Sequence, residues 1–199
     1  MKILHVFVGL SLLASNAALA GSSDFDIRLG RGSEREQLAA QQLRRLLDTH
    51  DVSRYIFTYS VTVREGDVPH SHPRLTINTL HLKDDASALS VFIHEQFHWF
   101  GLAYEAEVNA AIKDLKVLYP TVPNSRGGGA GDARSTYIHL IVGLQEYHAT
   151  ASLFGPAEAR RVISRKPHYR WIYKQVLENE AALQAIIQKH NLGPAITAH

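Results

Sequence analysis

The segment "HEQFH", residues 94–98, sets two histidines four positions apart with a glutamate after the first. On a helix, that spacing stacks His94 and His98 on one face, one turn apart, so both rings can reach one ion. Glu95 then stands beside the ion and is not consumed as a ligand. A carboxylate there suits a general base for a zinc-bound water, whose pKa the metal lowers toward about 7. H-E-x-x-H on a helix is the pattern expected of a zinc-dependent hydrolase. The chain has no cysteine, so thiol nucleophiles and thiolate ligands are excluded. Any zinc must sit on histidine and carboxylate, and twelve histidines are available.

Two ligands do not complete a tetrahedral site. "HEQFHWFGLAY" follows the metzincin pattern through Gly101, but Tyr104 stands where that pattern needs His or Asp. The Met-turn is missing too, because Met1 is the only methionine. Glu105 and Glu107 are near in sequence. On an unbroken helix, however, Glu105 lies about 16 Å from His94, and the pair reads better as a solvated acidic face. Glu146, in "STYIHLIVGLQEYHAT", is better placed. It sits among Ile138, Leu140, Ile141, Val142 and Leu144 on an apolar helix, where a carboxylate needs a partner and a metal is a good one. Gly143, one turn back, would let another helix approach closely.

His139 lies about 20° from Glu146 around the same helix. It has three readings: a catalytic group that steadies an oxyanion or contacts substrate, the ligand itself with Glu146 behind it, or a hydrogen-bonded core histidine. Tyr137 and Tyr147 read as oxyanion donors or, better, as core tyrosines with satisfied hydroxyls.

H-E-x-x-H on one helix with a glutamate on a second, over about residues 74–150, resembles the gluzincin group of zinc metallopeptidases. In that group the glutamate commonly stands in E-x-x-[SA]-D, whose Asp holds a ligand histidine. Here Ala149 fits, and Thr150, a weaker acceptor, replaces the Asp. The resemblance implies a zincin-like fold and one catalytic zinc held by His94, His98 and Glu146. It also implies Glu95 as the base and a peptide or protein substrate laid along a sheet edge beside the metal helix. The alternative from another class is a non-catalytic exported zinc-binding structural or interaction module. Glu95 favours the enzyme, since a structural site needs no base.

The elements around these residues follow from local signals. Ser33 and Glu36 form a capping box before a helix over 34–49. "RYIFTYSVTV" (54–63) and "RLTINTLHL" (74–82) read as strands. Asp84 or Asp85 caps the metal helix, which stops near Gly101, and another helix covers 103–118. After the loop "YPTVPNSRGGGAGD", Asp132 caps a helix over 133–153. Gly155-Pro156 opens a short helix, and Pro167 starts a last one running to about 190. The chain is therefore α+β, with a small N-terminal sheet packed on a buried H-E-x-x-H helix and a mostly helical remainder. "SRGGGAGD" reads as a mobile connection or a lid, and "HSHP", with His70 and His72, as an exposed loop or a place for a stray metal. The basic run Arg160, Arg161, Arg165, Lys166, Arg170 and Lys174 reads as a solvated face, or as a surface for acidic substrate or membrane head groups.

Residues 1–20 carry a charged start, an apolar run and a small-residue end, as a cleaved Sec signal peptide does. That places residues 21–199, one expected domain, in the periplasm or outside the cell. No later segment is apolar enough for a membrane span, and a net charge of +2 argues against a nucleic-acid binder.

Overall fold

Three short strands and seven helices make up the described chain, residues 21–193 of a computed structural model. The expected signal peptide lies outside the described residues. Strands β1 (Asp26–Leu29), β2 (Ser60–Val63) and β3 (Leu75–Ile77) form one sheet in that order. All pairs are parallel, with Ile27 opposite Val61 and Val61 opposite Leu75. Parallel neighbours need a crossover, and helix α1 (Glu34–Thr49) supplies the one between β1 and β2.

The sheet is smaller in span and larger in strand number than the sequence reading. β1, "DIRL", is four residues long and mostly exposed, so it shows no apolar alternation to detect. Only the end of 54–63 is strand. Residues Ser53–Tyr55 form a 3₁₀ turn, and the amides of Phe57 and Thr58 donate to Gln96 Oε1 at 2.8 and 2.9 Å. The outer edge of β3 is already paired at Thr76, which exchanges both backbone hydrogen bonds with His70 (3.1 and 2.7 Å). A peptide cannot add to that edge at Thr76 without displacing the chain's own loop. The "HSHP" loop is pinned as well, with His72 packed on Trp99 and the Trp99 indole N–H donating to the Ser71 carbonyl.

Helix α2 (Asp85–Ala103) starts at Asp84, whose carboxylate accepts from Ser87 N at 3.0 Å. It ends at Tyr104, and α3 (Glu105–Leu118) follows at once. Leu89, Phe92, Ile93, Phe97 and Phe100 bury α2 on nearly every side. Its main partner is α4 (Ala133–Phe154), capped by Asp132 through Ser135 N at 2.7 Å. Helices α5 (Pro156–Ser164), α6 (Arg170–Glu178) and α7 (Glu180–Lys189) then pack on α4. The expected last helix is thus two, broken at Asn179, and it begins at Arg170 and not at Pro167.

Gly143 faces α6, with room for ordinary side-chain contact. A Cβ there would lie 3.4 Å from the Tyr173 ring and 3.5 Å from Val176. The glycine-rich loop is tied to the same helix. Gly128, at φ +87, accepts from Trp171 N at 3.0 Å, and a Cβ on it would sit 2.8 Å from that nitrogen. Buried apolar side chains run from Phe25 to Leu192 in one core cluster. Among the described residues no helix is long and apolar enough to cross a membrane.

Glu36 joins the sheet to α1. Ser33 Oγ accepts from Glu36 N, as the capping box requires, and the Glu36 side chain is fully buried. Its carboxylate accepts from Arg31 N, Gly32 N and Glu65 N at 2.7, 2.8 and 2.9 Å. Glu36→Ala would remove the acceptor of three part-buried amides and is expected to cost about 1–2 kcal/mol of stability. Urea unfolding reads this, and an unchanged midpoint would show that the three amides find other partners.

Candidate metal centre

His94 and His98 on α2 and His139 on α4 bring ligand nitrogens within 4.8 Å of one another. The Nε2 atoms of His94 and His98 are 3.3 Å apart. Two Zn–N bonds of about 2.0–2.1 Å at a tetrahedral angle would place their nitrogens about 3.3–3.4 Å apart, so this pair fits the ion. His94 Nδ1 faces Glu146 Oε2 at 2.9 Å, and His139 Nδ1 faces the Ser135 carbonyl at 2.7 Å. Both partners can only accept, so each Nδ1 carries the proton and each Nε2 keeps its lone pair for a metal. Burial, then the neighbouring His94, pushes His98 down to about 2 and His139 down to about 4. Both rings are therefore neutral near pH 7.

Glu146 occupies a different position from the one the sequence reading gave it. It is fully buried, and its two oxygens face four donors. Tyr173 OH donates at 2.6 Å and His94 Nδ1 at 2.9 Å. Ser90 Oγ and Lys166 Nζ complete the set. A carboxylate offers about four lone-pair sites, so all are used. Burial alone would raise its pKa, but Lys166 and His94 outweigh that and hold it below the usual carboxylate range. Burial and the Glu146 charge push the Tyr173 hydroxyl well up, so Tyr173 remains a donor. Glu146 thus stands behind His94, and the group at the level of the Nε2 atoms is His139.

Glu95 is 6 % exposed, and no hydrogen bond reaches its carboxylate among the described residues. Burial raises its pKa; His94 works against the rise and Glu146 adds to it. With His94 it lines a cleft of about 790 Å³ that also takes in Tyr169, Tyr173 and Lys166. Tyr169 holds a left-handed backbone, φ +56, that costs a non-glycine residue on the order of 1 kcal/mol. Its ring lies 4.3 Å from that of His139 and stacks on His94 at 6.2 Å. Burial and the nearby Glu95 raise its pKa, so the hydroxyl stays protonated.

The remaining candidates lie elsewhere. Tyr137 OH donates to the Tyr119 carbonyl at 2.7 Å, and Tyr147 is buried in the core. Thr150 Oγ1 donates to the Glu146 carbonyl of its own helix, not to a ligand histidine. Glu105 faces Arg134 at 3.8 Å, at the start of α3 with Glu107. Sequence reasoning missed Ser90, Tyr169 and Tyr173 and took Lys166 for a surface charge. Only Ser90 carried a local signal, since it sits one turn before His94.

No known family matches the chain. Comparison with curated proteins and with solved structures also finds no match.

Two measurements follow from this geometry. His139→Ala is expected to lose stoichiometric zinc, whereas Glu146→Gln should keep the site and weaken it about 10–100-fold. Chelator competition separates them. Full affinity in His139→Ala with loss in Glu146→Gln would return the third position to Glu146.

The second concerns pH in the metal-free protein. An unfolded histidine titrates near 6.5, and folded His98 and His139 titrate lower. Below pH 6.5 the unfolded state binds more protons, so this stability is full above pH 6.5 and falls as pH drops toward 4. At about 1.4 kcal/mol per ring and pH unit, the expected loss by pH 5 is about 2–4 kcal/mol. Equal urea midpoints at pH 7 and 5 would contradict neutral buried rings.

Proposed function

We propose that the chain is a zinc-dependent hydrolase of peptide bonds, with His94, His98 and His139 as ligands and Glu95 as general base. The observation that carries this reading is Glu95: a carboxylate without a hydrogen-bond partner among the described residues, opening with His94 on a cleft. A structural zinc site closes its fourth position with protein and needs no base. The gluzincin resemblance supports the choice of peptide bonds, although this ligand set differs from the one it implies.

When bound, zinc would act as a Lewis acid on the scissile carbonyl and lower the pKa of water. Glu95 accepts the proton of the attacking water at a carboxylate oxygen and passes it to the leaving amine. Its raised pKa assists that second transfer. Glu146 is a positioning residue that fixes the His94 tautomer and ring plane. Tyr169, protonated and in the cleft beside His139, donates to the developing oxyanion. With His139 engaged as a ligand, the donor role first considered for it passes to Tyr169.

Glu95→Gln is expected to keep stoichiometric zinc and lose about 10²–10⁴-fold in kcat against a peptide that the wild type cleaves. Undiminished turnover would remove Glu95 from the chemistry. Zinc binding with no cleavage of any peptide by the wild type would favour the non-catalytic module. Tyr169→Phe should lower kcat about 10²-fold with little change in KM. A change confined to KM would make Tyr169 a substrate contact only.

A further inference from the structure

Arg126, Arg165 and Arg170 line the same cleft as Glu95 and Tyr169. Among the described residues none of the three makes an ion pair. Their basic neighbours are neutralised: Arg161 by Asp84 at 2.9 Å and Glu158 at 2.6 Å, and Lys166 by Glu146. Of the other acids in the cleft, Asp84 is spent on Arg161 and Asp67 faces Arg64 at 3.6 Å. The unpaired balance of the lining is therefore positive, with Glu95 as the one free carboxylate. The backbone presenting these arginines is held. Arg126 sits on the 3₁₀ turn Ser125–Gly127, next to the Gly128–Trp171 hydrogen bond, and Arg165 and Arg170 bracket the turn that delivers Lys166 and Tyr169.

A second part of the lining is apolar. Val68 is 72 % exposed and Leu80 74 %, and both face this cleft with Pro69 and Val91. Large apolar side chains left in water and gathered in one concavity mark a binding surface.

We propose that the cleft recognises an acidic peptide: a substrate carboxylate meets Arg126, Arg165 and Arg170, and an apolar side chain packs on Val68 and Leu80. The inference rests on the peptide-hydrolase reading above. A guanidinium fork binds a C-terminal carboxylate and an Asp or Glu side chain by the same bidentate chemistry. Both are carboxylates of a peptide, and the experiment tells them apart.

Titration calorimetry on zinc-loaded Glu95→Gln protein reads binding without turnover. Four peptides share one apolar half and carry either Glu or Gln, each with a free or an amidated C-terminus. The Gln, amidated peptide is expected to bind about tenfold more weakly than the best acidic one. The gap should shrink as salt is raised. The single neutralisation that reproduces the loss identifies the side chain or the terminus as the source. Changing the three arginines to Gln together should abolish the preference. These side chains are exposed, circular dichroism checks the fold, and the peptide series on the parent decides even if that variant misfolds.

Equal binding of all four peptides, binding of none, or tighter binding of a single-stranded oligonucleotide would overturn the proposal. Cleavage by the wild type tests the hydrolase reading separately. Acid preference in binding without any cleavage removes catalysis and keeps the recognition site. Cleavage without acid preference does the reverse.

Discussion

A carboxylate with no access to water must be surrounded by donors, and Glu146 is in that position at the centre of this molecule. Its four partners come from three places in the chain. Ser90 and His94 lie on α2, Lys166 on the turn before α6, and Tyr173 on α6 itself. Satisfying one buried charge therefore fixes how α2, α4 and α6 sit together. It also fixes the chemistry of His94. Lys166 supplies the positive charge that compensates the Glu146 carboxylate, and His94 meets that carboxylate through Nδ1, which leaves Nε2 directed at His98.

The packing that permits this brings two glycines against α6. Gly143 faces α6, where Tyr173 reaches Glu146, and a Cβ there would rest in ordinary van der Waals contact. Gly128 lets the loop before α4 lie on the first turn of α6. The 165–169 turn leads into that helix, and it holds a left-handed backbone at Tyr169. That strain sits where Tyr169 covers two of the three histidines, so the surrounding contacts hold an unfavourable conformation in the cleft wall.

Helices with caps and apolar faces were legible in the sequence, and so was the H-E-x-x-H geometry. The buried setting of Glu146 was legible too, since a carboxylate among Ile, Leu and Val must have partners. Which partners it has was not. His139 and Glu146 share one face of α4 but stand two turns, about 10 Å, apart along it. The relative height of α4 against α2 decides which of them is level with the His94 Nε2 and which with Nδ1. Local patterns carry no information on that height, because it is set by distant residues, Lys166 and Tyr173. β1 was illegible for a different reason. Its four residues are held by pairing with β2 and bury almost nothing.

The partition of charge around the cleft follows from the same constraint. The ionised groups nearest the histidines are matched, Glu146 by Lys166 and, at the cleft edge, Asp84 by Arg161. Glu95 is the exception. It is nearly as inaccessible as its neighbours, yet no donor is directed at it among the described residues, and burial raises its pKa. A structural carboxylate in such a place would have acquired a partner, as Glu36 and Glu146 have. The Glu95 oxygens open on the cleft, where water can reach them. The matched charges leave Glu95 as the lining carboxylate without a protein partner among the described residues. The unpaired arginines lie further out on the rim, where water can solvate them until a ligand arrives.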